Sequence, residues 1–225
     1  MSFNIAIDGP AGAGKSTIAR AAARSLGFLY VDTGAMYRAI ALHLLRNHVD
    51  AEDSHRIEEL LADMTIRIIY SGGEQQIILN GENVTGQLRN EEVGNMASKS
   101  AANPRVREKL LQLQRDIARD NDVIMDGRDI GTFVLPKADV KVYLTASVEE
   151  RANRRYLELK EKGLDADISK IEEDIRTRDF QDMNRSIAPL KQAEDAVVID
   201  SSRLSIPEVM DRIVDAFQES LKLKG

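Results

Sequence analysis

Residues 5–17, IAIDGPAGAGKST, constrain the fold of this chain more than any other stretch. An apolar run leads into a glycine-rich turn that fits the pattern G-x-x-x-x-G-K-[ST] and ends with Lys15 and the hydroxyl of Ser16. Glycines let the backbone curl its N–H groups around an anion, and the helix that follows directs its positive end at the same point. The pattern therefore predicts a strand, a phosphate-binding loop and a helix.

A loop of this kind predicts that the chain binds a nucleoside triphosphate. Lys15 is expected to reach the β- and γ-phosphates, and the Ser16 hydroxyl is expected to hold Mg²⁺ beside them. The residues predicted to surround the phosphates are Gly9, Pro10, Ala11, Gly12, Ala13, Gly14, Lys15, Ser16 and Thr17.

Short apolar runs and amphipathic segments alternate along the rest of the chain. Strands are predicted at 3–8, 28–32, 122–126, 140–146 and 196–200, and helices at 17–27, at 35–48 and after a capping box formed by Ser205 and Glu208. This alternation is typical of a parallel sheet with helices on both faces. We therefore predict an α/β fold, with a parallel β-sheet flanked by helices, in a single domain over residues 1–225.

One segment interrupts the alternation. Residues 65–80, TIRIIYSGGEQQIILN, predict two strands joined by a Gly-Gly turn, which is a small antiparallel β hairpin inserted into the core. Two interpretations remain open at this point. The insertion is either decorative or part of a subdomain that closes over a substrate.

Composition limits the partners of the chain. It has 31 Lys and Arg against 37 Asp and Glu, a net charge of -6, whereas general nucleic-acid binders are usually basic. It has no cysteine, which excludes disulfides and Cys-ligated zinc, and no window reaches the roughly 18 apolar residues of a membrane span. We expect a cytoplasmic monomer that binds neither nucleic acid nor membrane.

Three further motifs combine arginine with carboxylates or hydroxyls: VDTGAMYR (31–38), IMDGRDIG (124–131) and RTRDFQDMNR (176–185). The first two follow predicted strands, so their polar residues are expected beside the phosphate loop at the carboxyl edge of the sheet. The third has an i, i+4, i+7 spacing that predicts one shared helical face. The candidates are Thr33, Arg38, Arg128, Asp129, Arg178, Asp182 and Arg185. The alternatives are a capped turn for DGRD and a salt-bridged surface for the helix.

The chemistry of these motifs indicates a second, smaller ligand. Arginines suit a phosphate, whereas carboxylates accept from amino and hydroxyl groups. Asp126, the first residue of DGRD and the last of the predicted strand 122–126, is a candidate for orienting the Mg²⁺ shell. Because the chain has no guanine-selecting N-K-x-D element, a small kinase is favoured over a GTPase. The alternatives are a kinase for UMP or a metabolite such as shikimate, or an ATP-gated interaction protein.

The segments IAIDGPAGAGKST, DTGAMYRA, NPRVRE, DGRDIGT, ERANRR and RDFQDMNRSIAPL together resemble the bacterial cytidylate kinases, a family of P-loop nucleoside monophosphate kinases. The resemblance covers essentially the full chain, including the insertion. It implies a P-loop kinase core, an inserted monophosphate-binding subdomain at 63–96 and a helical lid at 152–168. It also implies direct in-line transfer of the γ-phosphoryl group of ATP to CMP or dCMP, assisted by Mg²⁺, in pyrimidine nucleotide metabolism.

The resemblance further implies roles for individual residues. Around the cytosine it implies Thr33, Arg107, Arg128 and Asp129, with Asp129 accepting from the amino group. At the pentose it implies Ser98, Arg178 and Asp182, and at the acceptor phosphate Arg38, Arg128 and Arg185. The catalytic residues that it implies are Lys15, Arg128, Arg151, Arg155 and Arg185, of which Arg151 and Arg155 belong to the lid side.

Overall fold

The order of strands and helices follows the predicted alternation. The structure, a computed structural model, describes residues 2–224. Its strands are β1 (Asn4–Asp8), β2 (Leu29–Asp32), β3 (Ile66–Ser71), β4 (Glu74–Leu79), β5 (Glu82–Asn83), β6 (Val123–Gly127), β7 (Val140–Thr145) and β8 (Val197–Asp200). Its helices are α1 (Lys15–Leu26), α2 (Thr33–Arg46), α3 (Ser54–Ala62), α4 (Glu91–Ser100), α5 (Pro104–Asp120), α6 (Val148–Glu161), α7 (Ile168–Asn184) and α8 (Ile206–Lys224). A 3₁₀ turn at Thr85–Gln87 and a π turn at Ile130–Val134 complete the chain as described.

The central sheet has five strands in the order β2-β6-β1-β7-β8, and every neighbouring pair is parallel. Asp8 of β1 is aligned with Gly127 of β6, and Asp32 of β2 is aligned with Asp126. Parallel strands end at the same edge, so the segments that follow β1, β2 and β6 meet there. The predicted α/β fold is confirmed, and its topology brings the phosphate loop, Thr33 and the DGRD motif to one edge.

Hydrophobic cores lie on both faces of this sheet. In β1, Ile5 and Ile7 pack with α1 and α8, whereas Ala6 between them packs on the opposite face with α2 and α5. Alternate residues of a strand point to opposite faces, and strands covered on both faces read as continuous apolar runs. This explains why β1 shows no polar alternation before the phosphate loop. The capping box that was predicted for α8 is confirmed, since Glu208 accepts from both the backbone N–H and the hydroxyl of Ser205 at 2.8 and 2.7 Å.

The insertion forms a separate antiparallel sheet of three strands, in the order β3-β4-β5. Gly72 and Gly73 turn the chain between β3 and β4 with φ values of +61° and +77°, which glycine adopts without strain. The predicted hairpin is confirmed, and the short β5 adds a strand that the sequence pattern did not predict. Ile77 and Leu79 of β4 are buried in the core under α2, so the small sheet is packed against the main domain.

Among the helices of the described residues, none is both long enough and apolar enough to cross a membrane.

Candidate active site

The phosphate loop is shaped by glycines at two positions where a side chain would not fit or would be strained. Gly9 has φ +152°, and a Cβ atom there would lie 1.9 Å from the carbonyl oxygen of Leu144 in β7. Gly14 precedes α1 with φ +88°, and no side chain caps the helix at this point. The first N–H groups of α1 are therefore left for an anion, as the motif predicts.

Lys15, the first residue of α1, is buried beside this loop. Its Nζ donates to the carbonyl oxygen of Pro10 at 2.7 Å. Burial lowers the pKa of Lys15 well below its usual value, and repulsion from Arg128 adds to the effect. A phosphate group at Nζ would favour the ammonium form, so the lysine is matched to an anionic ligand.

Asp126 at the end of β6 connects three elements. One carboxylate oxygen accepts from the Ser16 hydroxyl at 2.9 Å and the other from the Tyr30 hydroxyl at 3.0 Å. Its backbone carbonyl accepts from the Thr33 hydroxyl at 2.7 Å. Burial raises the pKa of Asp126, and repulsion from Asp32 acts in the same direction. The Ser16 hydroxyl is exposed and is hydrogen-bonded to the Asp126 carboxylate behind it. Hydroxyl and carboxylate oxygens are the kind of ligand that Mg²⁺ prefers.

The fit to Mg²⁺ depends on phosphate oxygens as well as on protein atoms. Within residues 2–224, no group of three or more His, Cys, Asp or Glu side chains could hold a metal ion by itself. Mg²⁺ in phosphoryl-transfer sites is commonly held by one or two protein oxygens together with substrate phosphates and water. Ser16, with Asp126 behind it, fits that arrangement.

Asp129 lies at the centre of a buried arginine cluster. Its carboxylate accepts from Arg107 of α5 and, at 3.0 Å, from Arg185. Burial raises the pKa of Asp129, and the two guanidinium groups oppose that rise. Next to this cluster, Arg128 donates from Nε to Asp182 of α7 at 2.8 Å. The mixed arginine and carboxylate motifs that were identified in the sequence are therefore brought together by β6, α5 and α7.

The predicted helical face of Arg178, Asp182 and Arg185 is wrong in one member. Helix α7 ends at Asn184, and Arg185 has an extended backbone with φ -63° and ψ 143°. Its Nε donates to the carbonyl oxygen of Ala188 at 2.7 Å, which directs the guanidinium back to Asp129. Arg185 therefore reaches the cluster from a turn and not from the helix.

Arg178 remains on α7 and lies in a buried, cation-rich part of the site. Its Nε is buried and has no hydrogen-bond partner. Burial lowers the pKa of Arg178, and repulsion from Arg128 and from Arg38 lowers it further, although Asp182 opposes this. Arg38, which projects from α2, also lines a cleft of about 510 Å³ between α2 and the inserted sheet. A buried cation that is repelled by two others would be stabilised by a bound anion.

Two arginines of the ERANRR segment, Arg151 and Arg155, lie in different surroundings on α6. Arg151, which was expected on the lid side, is buried and has three partners: the carbonyl oxygens of Ala11 and Ala146 at 3.0 and 2.9 Å, and Asp179 at 2.7 Å. It therefore braces the phosphate loop. Arg155 is exposed and pairs with Glu158.

Two further residues, Arg154 and Ser98, lie on α6 and α4. Arg154, which the sequence argument left out, lies near Gly14 and donates to the carbonyl oxygen of Ser201 at 2.7 Å. Ser98 is half-buried in α4, and its assignment to the pentose stays a prediction. The side chain that faces the loop depends on the rotation of the helix, and one residue changes that rotation by about 100°.

Asp8 is a site residue that the sequence argument missed. It ends β1 immediately before the loop, and its carboxylate accepts from the backbone N–H groups of Ile130 and Gly131 at 2.8 and 2.7 Å. Burial raises the pKa of Asp8 to about 6. Asp8 thus links β1, the strand that leads into the phosphate loop, to the turn that begins at Asp129. The available signal was a carboxylate at the end of an otherwise apolar strand.

An anion-binding loop adjoining a second cluster of cations at the carboxyl edge of a parallel sheet is the arrangement of a P-loop kinase. The model of the cytidylate kinase family matches residues 5–219. A cytidylate kinase of Caldicellulosiruptor saccharolyticus is 50% identical over 215 residues, which cover 96% of this chain and 95% of that protein. A cytidylate kinase of Pasteurella multocida is 47% identical over 221 residues, which cover 98% of this chain and 97% of that protein. The chain therefore belongs to the cytidylate kinase family.

The comparison with solved structures concerns the fold alone. An uncharacterized protein from Eubacterium ventriosum superposes with a TM-score of 0.53 at 10% identity, over 95% of this chain and 97% of that chain.

Proposed function

We propose that the chain transfers the γ-phosphoryl group of ATP to CMP or dCMP, giving ADP and CDP or dCDP. Family membership supports the reaction, and one observation of the site carries it. At the end of β6, Asp126 accepts from Ser16 of the phosphate loop at 2.9 Å, and Arg128, two residues further on, donates to Asp182 of α7 at 2.8 Å. The end of one strand thus adjoins both anion sites, as transfer between two bound phosphates requires.

The chemistry follows from the groups on either side of Arg128. Lys15 and the N–H groups of the loop hold the β- and γ-phosphates, and Arg38 and Arg185 hold the acceptor phosphate. An acceptor phosphate oxygen forms a bond to the γ-phosphorus as the bond to the β–γ bridging oxygen breaks, so ADP leaves in line. The attacking oxygen is already ionised and needs no general base. Ser16, positioned by Asp126, would hold Mg²⁺, which neutralises charge on the phosphate oxygens when it is bound.

Selection of cytosine is proposed for Asp129, with Thr33, Arg107 and Arg128 around the ring. A carboxylate has about four lone-pair positions, so Asp129 can accept from an amino group while Arg107 and Arg185 keep it ionised and oriented. Uracil presents a carbonyl at the position of that amino group, and two acceptors would then face each other. For the pentose we propose Ser98, Arg178 and Asp182.

The remaining parts of the proposal concern motion and setting. We propose that residues 63–96 act as an acceptor-binding subdomain and that residues 152–168 act as a lid. Because Arg155 is exposed and paired with Glu158, its catalytic role requires lid closure, whereas Arg151 supports the loop. We further propose that the chain works as a monomer in the cytoplasm, where its nucleotide substrates occur.

The test is an assay of ADP release with Mg²⁺, ATP and a panel of acceptors: CMP, dCMP, UMP, AMP and shikimate. We expect CMP and dCMP to give the highest kcat/KM, and Lys15→Ala to abolish release with every acceptor. Rates with CMP and dCMP at the level of ATP alone would contradict the proposal. In a single turnover with γ-labelled ATP, label should appear on CDP, and label found first on the protein would refute direct transfer.

A further inference from the structure

The outer edge of β2 is covered by side chains of the inserted sheet. The backbone N–H of Leu29 donates to the carbonyl oxygen of Asp122, the residue before β6, at 2.9 Å. Backbone groups of alternate residues point to opposite sides of a strand, so those of Tyr30 and Asp32 point away from β6. Outward N–H and C=O groups of an edge strand need partners. The hydroxyl of Tyr70 donates to the carbonyl oxygen of Tyr30 at 3.1 Å. Gln75 completes the edge: its Oε1 accepts from the N–H of Asp32 at 2.9 Å, and its Nε2 donates to the carbonyl oxygen of Asp32 at 3.1 Å.

Tyr70 and Gln75 form one unit, which we call the edge clamp. They face each other across β3 and β4, next to the Gly-Gly turn. The adjoining Glu74 also contacts the main domain, through ion pairs with Arg20 and Arg24 of α1, but the three side chains are 36–69% exposed. Exposed pairs of this kind contribute little to stability. The edge clamp is therefore the specific polar connection between the insertion and β2.

The residue that Gln75 holds is the start of the acceptor helix. Asp32 caps α2, since its carboxylate accepts from the N–H of Ala35 at 2.9 Å. Thr33 follows it directly, and Arg38 projects from the second turn of the same helix. Asp32, Arg38 and Gln75 line the same cleft. A shift of Asp32 would therefore move the side chains proposed for the acceptor, whereas the phosphate loop lies on another strand.

We propose that Gln75, together with Tyr70, is a positioning element that fixes the N-terminus of α2 for the acceptor nucleotide. The identity of that acceptor rests on the proposed function. The clamp is joined to β2 by side-chain hydrogen bonds only, and Ile77 and Leu79 hold β4 in the core independently. Removing the Gln75 amide should therefore loosen the start of α2 without releasing the inserted sheet.

The experiment compares Gln75→Ala and Tyr70→Phe with Gln112→Ala. Gln112 is the matched control because it is the same residue type, and its side-chain amide donates to Asp116 at 2.9 Å on the exposed surface of α5, outside both the insertion and the cleft. Steady-state assays give kcat and the KM values for CMP and ATP, and hydrogen exchange of the unliganded protein reports on the amides of residues 32–35. Thermal unfolding shows whether each variant is folded.

For Gln75→Ala we expect the KM for CMP to rise about three- to tenfold and the KM for ATP to stay within about twofold. Exchange at Asp32 and Ala35 should become faster, with little change in Tm. Tyr70→Phe should change the KM for CMP and the exchange rates in the same direction, but by less. Gln112→Ala should match the parent in both measurements.

Two results would overturn the inference. Unchanged exchange at residues 32–35 in Gln75→Ala would refute the clamp whatever the activity, and an equal rise in both KM values would refute its acceptor-side role. A third outcome concerns the proposed function alone. If exchange is faster in Gln75→Ala but the parent protein uses neither CMP nor dCMP, the clamp is supported and the proposed function is contradicted.

Discussion

Replacing Asp129 by asparagine should both destabilise the protein and impair the acceptor site. The side chains of Arg107 and Asp129 are 4% and 6% exposed, and that of Arg185 is 8% exposed. The carboxylate has an oxygen for each guanidinium. Asparagine keeps its shape but offers a single acceptor oxygen and no charge. At least one buried guanidinium is then left without its partner.

The magnitude follows from the burial of these groups. Removing one partner of a buried ion pair costs about 3–5 kcal/mol, because the other charge stays desolvated and unpaired. For a chain of this size, each kcal/mol lowers Tm by about 2–4 °C. We therefore expect Asp129→Asn to lower Tm by about 6–20 °C. Against a typical total of about 5–15 kcal/mol, the variant should still fold at room temperature if the protein is of ordinary stability.

Calorimetry of the unliganded variant measures the loss, and KM values measured at 20 °C separate the two nucleotides. We expect the KM for CMP to rise and the affinity for ATP to stay near that of the parent. Asp120→Asn is the matched control: Asp120 also pairs with an arginine, Arg119, but both side chains are more than half exposed. Its Tm should not change measurably.

A fall in Tm of less than about 3 °C in Asp129→Asn would refute the reasoning, because it would mean that the two arginines are solvated or paired elsewhere. An equal loss of affinity for ATP and CMP would show that the cluster supports the whole site and does not select the acceptor.

Three further predictions concern single residues. The pKa of Asp8 is raised from 3.8 to about 6 in the folded state. Protonated Asp8 therefore contributes its full stabilisation of the fold below about pH 4, and this contribution is lost as the pH rises through about 6. The free energy of unfolding of the parent, relative to Asp8→Asn in urea titrations, should therefore fall by about 3 kcal/mol from pH 4 to 7, and a pH-independent difference would contradict this. Arg185→Ala should lower kcat/KM for CMP by about 10- to 150-fold through loss of a charge-assisted hydrogen bond, and a change below about twofold would remove it from the acceptor site. Asp126→Asn should raise the Mg²⁺ concentration for half-maximal rate by about 10- to 100-fold, and an unchanged Mg²⁺ curve would separate Asp126 from the metal.

The sequence predicts those parts of the site that depend on the ends of parallel strands. Residues that follow β1, β2 and β6 had to meet, because the sheet brings its carboxyl ends to one edge. This alone places Lys15, Thr33 and Arg128 in one region. The hairpin was predictable for a similar local reason, since alternation and a Gly-Gly turn specify it without long-range information.

The errors arose where orientation depends on packing over long distances. Arg185 was assigned to a helical face, but α7 ends one residue earlier and the bond to Ala188 sets its direction. Arg154, which lies near Gly14, was left out of the predicted site, because only the rotation of α6 against the loop shows which side chain faces it. Gln75 gave no signal at all. A glutamine amide that pairs with the backbone of a strand 43 positions away has no local pattern.

The carboxylates at the sheet edge are already shared between the donor and acceptor halves of the site. Asp126 joins Ser16 of the phosphate loop to Tyr30 and, through its backbone, to Thr33. Asp8 joins β1, next to the phosphate loop, to the turn after Asp129. Because these contacts cross between the halves, a substitution at Asp126 or Asp8 should alter the use of both nucleotides. Asp129 and Gln75 make their bonds on the acceptor side, so substitutions there should raise the KM for CMP and leave the KM for ATP nearly unchanged. The ratio of the two KM values therefore distinguishes positioning of the acceptor from general damage to the site.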